Sequence, residues 1–160
     1  MDANEAHDWG AWRFLLGDWR GEGGGAPGEG EGAFSFTAEL QGQVIVRRNY
    51  AEYPATAERP AARHDDLMIV YRETPGADLR AMYFDSEGHV IHYTVEPSAH
   101  GRTVVFLSEI VPNAPRFRLT YTQTGDDTLA LTFEVAPPGQ PEAFTPYIQA
   151  HARRAPGEAS

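Results

Sequence analysis

Hydrophobic and polar residues alternate along most of this chain, which is the pattern of β-strands with one buried face. The clearest example is residues 128 to 136, where Leu129, Leu131, Phe133 and Val135 share one face. Similar segments recur at short intervals and are separated by turns rich in glycine and aspartate. The pattern predicts about nine to ten short strands.

The predicted strands have no helical segments between them, which excludes the alternating strand and helix order of parallel sheets. An open sheet of this size would leave unpaired edges that aggregate, so we expect a closed antiparallel barrel. Residues 53 to 66 contain two prolines and several charged residues and are predicted to form a polar loop. The first strand begins near Trp19, and the others cover residues 33–40, 43–50, 67–73, 79–84, 89–95, 102–111, 117–124, 128–136 and 144–154.

The N-terminal part carries the three tryptophans of the chain, Trp9, Trp12 and Trp19. The spacing of Trp9, Trp12, Leu15 and Leu16 predicts a short helix over residues 6–16, which Gly17 ends. Trp19 lies in a Gly-x-Trp-x-Gly pattern and is predicted to close one end of the barrel as an apolar plug. We expect one domain over residues 1–160, with a flexible tail from about residue 155.

Composition excludes several kinds of chemistry. The chain of 160 residues has no cysteine, and its 13 basic residues are all arginine, so disulfides, thiolate catalysis and lysine Schiff bases are excluded. A formal charge of −10 argues against a nucleic-acid partner. No apolar segment is long enough to span a membrane, and the acidic start lacks the apolar core of a signal peptide. We expect a cytoplasmic monomer or homodimer.

Two segments resemble the calycin-type barrels, specifically the nitrobindin-like branch and its uncharacterised bacterial relatives. They are Leu15-Leu16-Gly17-Asp18-Trp19-Arg20-Gly21-Glu22-Gly23 and residues 147–154. The resemblance implies a closed barrel around a ligand cavity. In lipocalin-like barrels an arginine near the last strand covers the tryptophan of the first, which implies that Arg153 or Arg154 stacks on Trp19.

The same resemblance bears on haem. Nitrobindin-like proteins hold ferric haem through a histidine in a segment resembling residues 145–150, and here that position is Tyr147. His151 lies four residues further along the chain. Because of this departure we predict a carrier or sensor of a small, mainly apolar ligand, with no haem or other cofactor. The alternatives are a haem-binding nitrobindin-like protein and an enzyme, such as an isomerase, cyclase or hydratase, acting on a lipophilic substrate.

The candidate ligand-binding residues are tyrosines and one histidine on predicted strands. A tyrosine-lined cavity suits an apolar ligand with one or two polar groups. If the turn at residues 85–88 pairs Phe84 with His89, then His92 lies opposite Ala81, and we expect the His92 side chain in the lumen. The predicted lumen residues are Tyr71, Tyr83, His92, Tyr121 and Tyr147.

One further group carries possible chemistry. His64 precedes Asp65 and Asp66 in the predicted loop at the barrel mouth, and neighbouring carboxylates raise the pKa of a histidine. The alternative is an ordinary solvated loop. No two histidines have the spacing that presents a pair to one metal ion, so no metal site is predicted.

Overall fold

Ten antiparallel strands close into a barrel in the computed structural model, which describes residues 9–25 and 30–156. Each strand pairs with its neighbours in the chain, and the last strand pairs with the first to close the ring. The predicted closed barrel of calycin type is confirmed. The strands are β1 (Gly17–Gly25), β2 (Gly30–Glu39), β3 (Val44–Tyr53), β4 (Ala62–Tyr71), β5 (Arg80–Asp85), β6 (Val90–Pro97), β7 (Thr103–Ser108), β8 (Arg116–Gly125), β9 (Thr128–Ala136) and β10 (Thr145–Arg154).

The predicted N-terminal helix is wrong in its described part. Residues 6–8 lie outside the described residues, and from residue 9 the chain forms only a single 3₁₀ turn at Gly10–Trp12. Trp9 and Trp12 then pack edge to face, with ring centroids 5.9 Å apart. A short 3₁₀ turn places residues three apart on the same side, as a helix does. The spacing of the apolar side chains therefore comes from their burial at the barrel end and not from a full helix. The predicted flexible tail lies mostly outside the described residues, which end at residue 156.

Trp19 lies at this closed end of the barrel and is 1% exposed. Its indole Nε1 donates a hydrogen bond of 2.8 Å to the carbonyl of Leu15, and its ring stacks on Phe34. The Arg154 guanidinium carbon lies 4.3 Å from the centre of the Trp19 ring, and Arg154 also donates to the carbonyl of Leu16 at 2.7 Å. Arg153 is exposed. The arginine over the tryptophan is thus Arg154.

The glycine-rich segment of residues 21–32 forms parts of β1 and β2, and residues 26–29 lie outside the described residues. At Gly32 a Cβ atom would lie 2.4 Å from the main-chain carbonyl oxygen of Tyr50. Because a backbone atom cannot move aside as a flexible side chain does, only glycine fits there. This position brings β2 close to β3.

The hairpin of β3 and β4 is longer than predicted. The segment assigned to a loop over residues 53–66 is a strand from Ala62, and Asn49, Ala51 and Tyr53 pair with Asp66, His64 and Ala62. The inward-facing residues of this extension include the polar His64 and Asp66, so its alternation does not resemble that of a strand on an apolar core. As a result, His64 and Asp66 lie on the barrel wall.

The predicted pairing of β5 with β6 is wrong by one residue. Phe84 pairs with Val90 and not with His89, so Met82 lies opposite His92 and Ala81 opposite Tyr93. A shift of one residue moves every side chain of a strand to the other face of the sheet. Tyr93 is consequently buried, and His92 is exposed.

Apolar side chains fill the closed half of the barrel. Trp12 is at the centre and packs edge to face on Phe106, with centroids 5.9 Å apart. Ile45, Val70 and Leu129 are also fully buried. None of the helices in the described part of the chain is long and apolar enough to cross a membrane. The opposite half of the barrel is not filled.

Candidate functional site

A cavity of about 850 Å³ occupies the half of the barrel opposite Trp19. Its lower limit is the buried layer formed by Arg47 and Tyr121, and its mouth lies among the β5–β6 and β7–β8 connections and the start of β10. The volume falls within the range of about 300–1,000 Å³ that is usual for small-molecule sites. The cavity is therefore large enough for an organic ligand.

One wall of the cavity is apolar and is built from β8, β9 and β10. Phe117 and Phe133 stack with ring centroids 5.6 Å apart, and Leu119 pairs with Phe133 across the two strands. Leu131 and Ile148 continue the same surface. These residues alternate with outward polar residues such as Arg118 and Glu134, which is why the sequence pattern identified these strands correctly.

Arg47 forms the floor of the cavity and is 4% exposed. One terminal nitrogen donates to the Tyr121 hydroxyl at 2.9 Å, the other forms an ion pair with Asp66, and its Nε has no partner among the described residues. Burial alone would lower the pKa of Arg47, but the Asp66 carboxylate raises it, so the guanidinium remains charged. The pair meets the requirement that a buried charge has a partner.

Asp66 is the centre of the polar side of the cavity, and its side chain is 3% exposed. Asn49 donates to it at 2.9 Å, and His64 Nε2 lies 3.1 Å from the same carboxylate oxygen. Burial tends to raise the pKa of Asp66, but Arg47, His64 and Asn49 hold it below its usual value. Asp66 is therefore a carboxylate at neutral pH.

His64 projects from β4 toward the mouth of the cavity. Its Nε2 lies 3.1 Å from Asp66 and 3.1 Å from the Tyr83 hydroxyl, and its Nδ1 lies 3.3 Å from Glu87. The hydrogen bond to Asp66 raises the pKa of His64 to about 9; burial opposes this rise, and Glu87 adds to it. The His64 ring is thus an imidazolium at neutral pH in the structure as described.

Tyr83 and Asp85 continue the polar side along β5. The Tyr83 hydroxyl donates to Asp85 at 3.0 Å, and burial together with the nearby carboxylates raises the pKa of Tyr83. Asp85 also accepts hydrogen bonds from the main-chain nitrogens of Glu87 and His89, at 2.9 and 3.0 Å. Tyr83 is therefore a neutral donor, and Asp85 is held by the turn that follows it.

The five residues that the sequence analysis placed in the lumen do not all face the cavity. Tyr83 and Tyr121 line the cavity wall and floor, and Tyr147 lines its mouth with 39% of its surface exposed. Tyr71 follows the fully buried Val70 and lies on the outer face of β4. His92 is on a strand that borders the cavity, but its side chain is exposed on the face opposite Tyr93. His92 is among the residues that border the cavity, but the one-residue register error means that Tyr93, and not His92, occupies the inward face of β6.

The sequence pointed to His64 and its neighbouring aspartates but assigned them to a loop, and it did not identify Arg47, Asn49, Asp85 or Glu87 as cavity residues. His64 and Asp66 are two residues apart, and that spacing places both on one face once the segment is read as a strand. Arg47 was a second available signal, because it follows the buried residues Ile45 and Val46 in the sequence. Asn49, Asp85 and Glu87 carried no distinguishing signal of their own.

Comparison with solved structures shows the fold. Rv2717c from M. tuberculosis superposes with a TM-score of 0.61 at 16% sequence identity, over 95% of this chain and 100% of that one. A de novo designed fluorescence-activating β-barrel also matches, with a TM-score of 0.46 and 12% identity over 92% of this chain and all of its own. Comparison with curated protein sequences gives no significant match.

A family model described as the THAP4-like, heme-binding beta-barrel domain matches residues 8–154. This match confirms the nitrobindin-like resemblance, and it overturns the expectation of a carrier without haem. That expectation relied on the absence of a histidine at residue 147, and a single departure in the ligand pattern does not outweigh a match over almost the whole chain. This chain belongs to the family of THAP4-like haem-binding β-barrel domains.

Proposed function

We propose that this chain binds haem in the barrel cavity and that Tyr147 is the protein ligand of the iron. Membership of a haem-binding family and a cavity of about 850 Å³ with one apolar wall support the first part. The position of Tyr147 on β10 supports the second. The observation that carries the proposal is a phenol side chain on the cavity surface where the family resemblance implies the ligand.

The cavity surface matches the chemistry of a porphyrin. A flat apolar macrocycle gains most from contact with aromatic and aliphatic side chains, and the stacked pair of Phe117 and Phe133 with Leu119, Leu131 and Ile148 provides them. The exposed mouth of the cavity leaves room for the charged propionate groups to reach solvent. The residues present therefore fit the group that the family implies.

Tyr147 is the best candidate donor on β10. A β-bulge between Pro146 and Ile148 interrupts the regular pairing, so that Tyr147 lines the cavity while His151 is exposed between Ala150 and Ala152. The bulge therefore keeps Tyr147 and His151 from sharing one face of the strand, although the two residues are four positions apart. Among the described residues Tyr147 forms no hydrogen bond, and tyrosine is an established ligand of haem iron.

The wall of the cavity opposite Tyr147 is formed by other strands of the barrel. In the ring of ten strands β5 is five places from β10 in either direction, so Tyr83 is on the strand opposite Tyr147. Bound haem supplies an iron centre for small ligands and for redox chemistry. The protein would exclude water with its apolar wall, and the Tyr83 hydroxyl, whose proton is donated to Asp85, would add a polar group to the opposite wall.

The test is titration of the purified chain with hemin, followed by Soret absorption. We expect one haem per chain, and we expect Tyr147→Phe to weaken binding at least about tenfold because the iron ligand is lost. Tyr71→Phe is the matched control, since Tyr71 is on the outer face of β4, and it should bind like the parent. A parent chain with no Soret change would disprove haem binding, and an unchanged Tyr147→Phe variant would disprove the ligand assignment.

A further inference from the structure

We propose that His64, Asp85 and Glu87, with His89 beside them, form a binding site for a divalent first-row transition-metal ion at the cavity mouth. One ring nitrogen of His64 and one carboxylate oxygen each of Asp85 and Glu87 all lie within 4.8 Å of one another. His89 Nδ1 lies 2.9 Å from Asp85 and 3.7 Å from Glu87. This inference does not depend on haem binding.

The ion pairs of the chain distinguish these carboxylates from the others. Elsewhere in the described part of the chain, acidic side chains that form ion pairs do so with arginine, as Glu134 does with Arg118. Asp85 instead pairs with His89, and Glu87 pairs with His64 and His89; within the described residues neither has an arginine partner. Imidazole and carboxylate groups that converge without a permanent cation form a donor set for a metal ion.

The site is rigid at one ligand and adjustable at another. Asp85 is held by the main-chain nitrogens of Glu87 and His89 and by the Tyr83 hydroxyl, and its side chain is only 4% exposed. The Glu87 side chain is 60% exposed on the turn between β5 and β6. A long exposed side chain moves at little cost, so Glu87 can close the remaining distance around an ion.

His64 also has the outer partner that metal-bound histidines usually have. Its Nε2 can donate to the buried Asp66 carboxylate at 3.1 Å, and Asp66 is itself fixed by Arg47 and Asn49. Such a carboxylate fixes the ring orientation and the tautomer, which leaves Nδ1 beside Glu87 as the ligand atom. In this arrangement Nε2 donates a hydrogen bond to Asp66, and Nδ1 is the nitrogen that would bind the ion.

The donors indicate the class of ion. Nitrogen and carboxylate ligands without sulfur suit Zn²⁺, Mn²⁺, Fe²⁺ or Co²⁺, whereas Ca²⁺ and Mg²⁺ prefer oxygen alone. His64, Asp85, Glu87 and His89 all border the cavity. An ion held there would have a free side toward the cavity, and water or a cavity ligand would complete its coordination.

The experiment uses the untagged full chain, treated with chelator and kept free of haem. It is titrated with ZnCl₂ by calorimetry and with Co²⁺ by visible absorption. We expect one ion per chain, with affinity reduced at least about tenfold in Glu87→Gln and in His64→Gln. Glu87 is on an exposed turn, so the first variant should fold even if the second does not.

The control variants are Glu96→Gln, which is exposed on the outer face of β6, and His100→Gln, which is exposed in the connection between β6 and β7. They remove the same donor types from a neighbouring part of the chain and should bind Zn²⁺ like the parent. The proposal is overturned if the parent chain binds no ion. It is also overturned if the affinity of Glu87→Gln for Zn²⁺ equals that of the control variants.

Discussion

The guanidinium of Arg47 donates a hydrogen bond of 2.9 Å to the hydroxyl of Tyr121 across the inside of the barrel. Arg47 is on β3 and Tyr121 is on β8, five places away in the ring of ten strands. This contact separates the half of the barrel that is filled with apolar side chains from the half that contains the cavity. It also joins two opposite walls through buried polar groups.

Arg47→Met should destabilise the protein by about 3–5 kcal/mol, because the buried Asp66 carboxylate loses its arginine partner and keeps only the His64 ring as a charged neighbour. Chemical denaturation followed by circular dichroism measures the loss. The double variant Arg47→Met with Asp66→Asn should recover part of it, since no unpaired charge then remains. If the single and double variants are equally unstable, the ion pair is not the reason for the loss.

Trp19→Ala should destabilise the barrel by about 3–5 kcal/mol through the cavity that the missing ring leaves. Arg154→Ala should cost less, because it removes a stacking contact and the hydrogen bonds to main-chain carbonyls without emptying the core. Arg153→Ala is the control, since that side chain is exposed. A Trp19→Ala variant with the parent's melting temperature would contradict the role of Trp19 as the closing plug.

Gly17→Ala should also destabilise the closed end, because Gly17 has a φ of +121° and a Cβ there would lie 2.7 Å from the Arg154 guanidinium. The contact would displace Arg154 from the carbonyl of Leu16. Gly139→Ala provides the comparison, since Gly139 also has a positive φ but no atom lies within 4 Å of the added carbon. Thermal unfolding should give a larger loss for Gly17→Ala. Equal losses would mean that contact with Arg154 adds nothing.

Tyr147→His should retain hemin binding and change its spectrum, because an imidazole replaces the phenol at the same cavity position. The position and intensity of the Soret band, compared with those of the parent, measure this change. His151→Tyr is a useful companion, since residue 151 is exposed on the outer face of β10. A spectrum altered by the change at residue 151 and not at residue 147 would place the ligand elsewhere on the strand.

Leu131→Trp should abolish hemin binding, because a larger ring in the apolar wall fills the space that the porphyrin needs. Leu131 is only partly buried beside the core, so the strands should still form. Circular dichroism checks folding, and Soret absorption checks binding. Ala130→Leu, a change to the neighbouring residue on the opposite face of β9, is the control and should bind hemin. Full binding by a folded Leu131→Trp variant would put the haem site outside this cavity.

The sequence alone determined the barrel and the plugged end. Alternation along β9 and short turns between strands are local properties, and they follow from burial of one face of a strand. Trp19 with its flanking glycines carried the family resemblance in the same local way. These features depend on residues close together in the chain, so the sequence contains them directly.

The tertiary structure decided the site. His92 and Tyr93 exchange faces when the pairing of β5 with β6 shifts by one residue, and no local pattern fixes that register strongly. His64 and Asp66 were assigned to a loop because inward polar residues break the hydrophobic alternation, and only pairing with β3 makes them part of the wall. Asp66 contacts Arg47 on β3, and His64 contacts Glu87 in the turn after β5. These residues lie far apart in the chain, and the pairing of β4 with β3 and β5 brings them together.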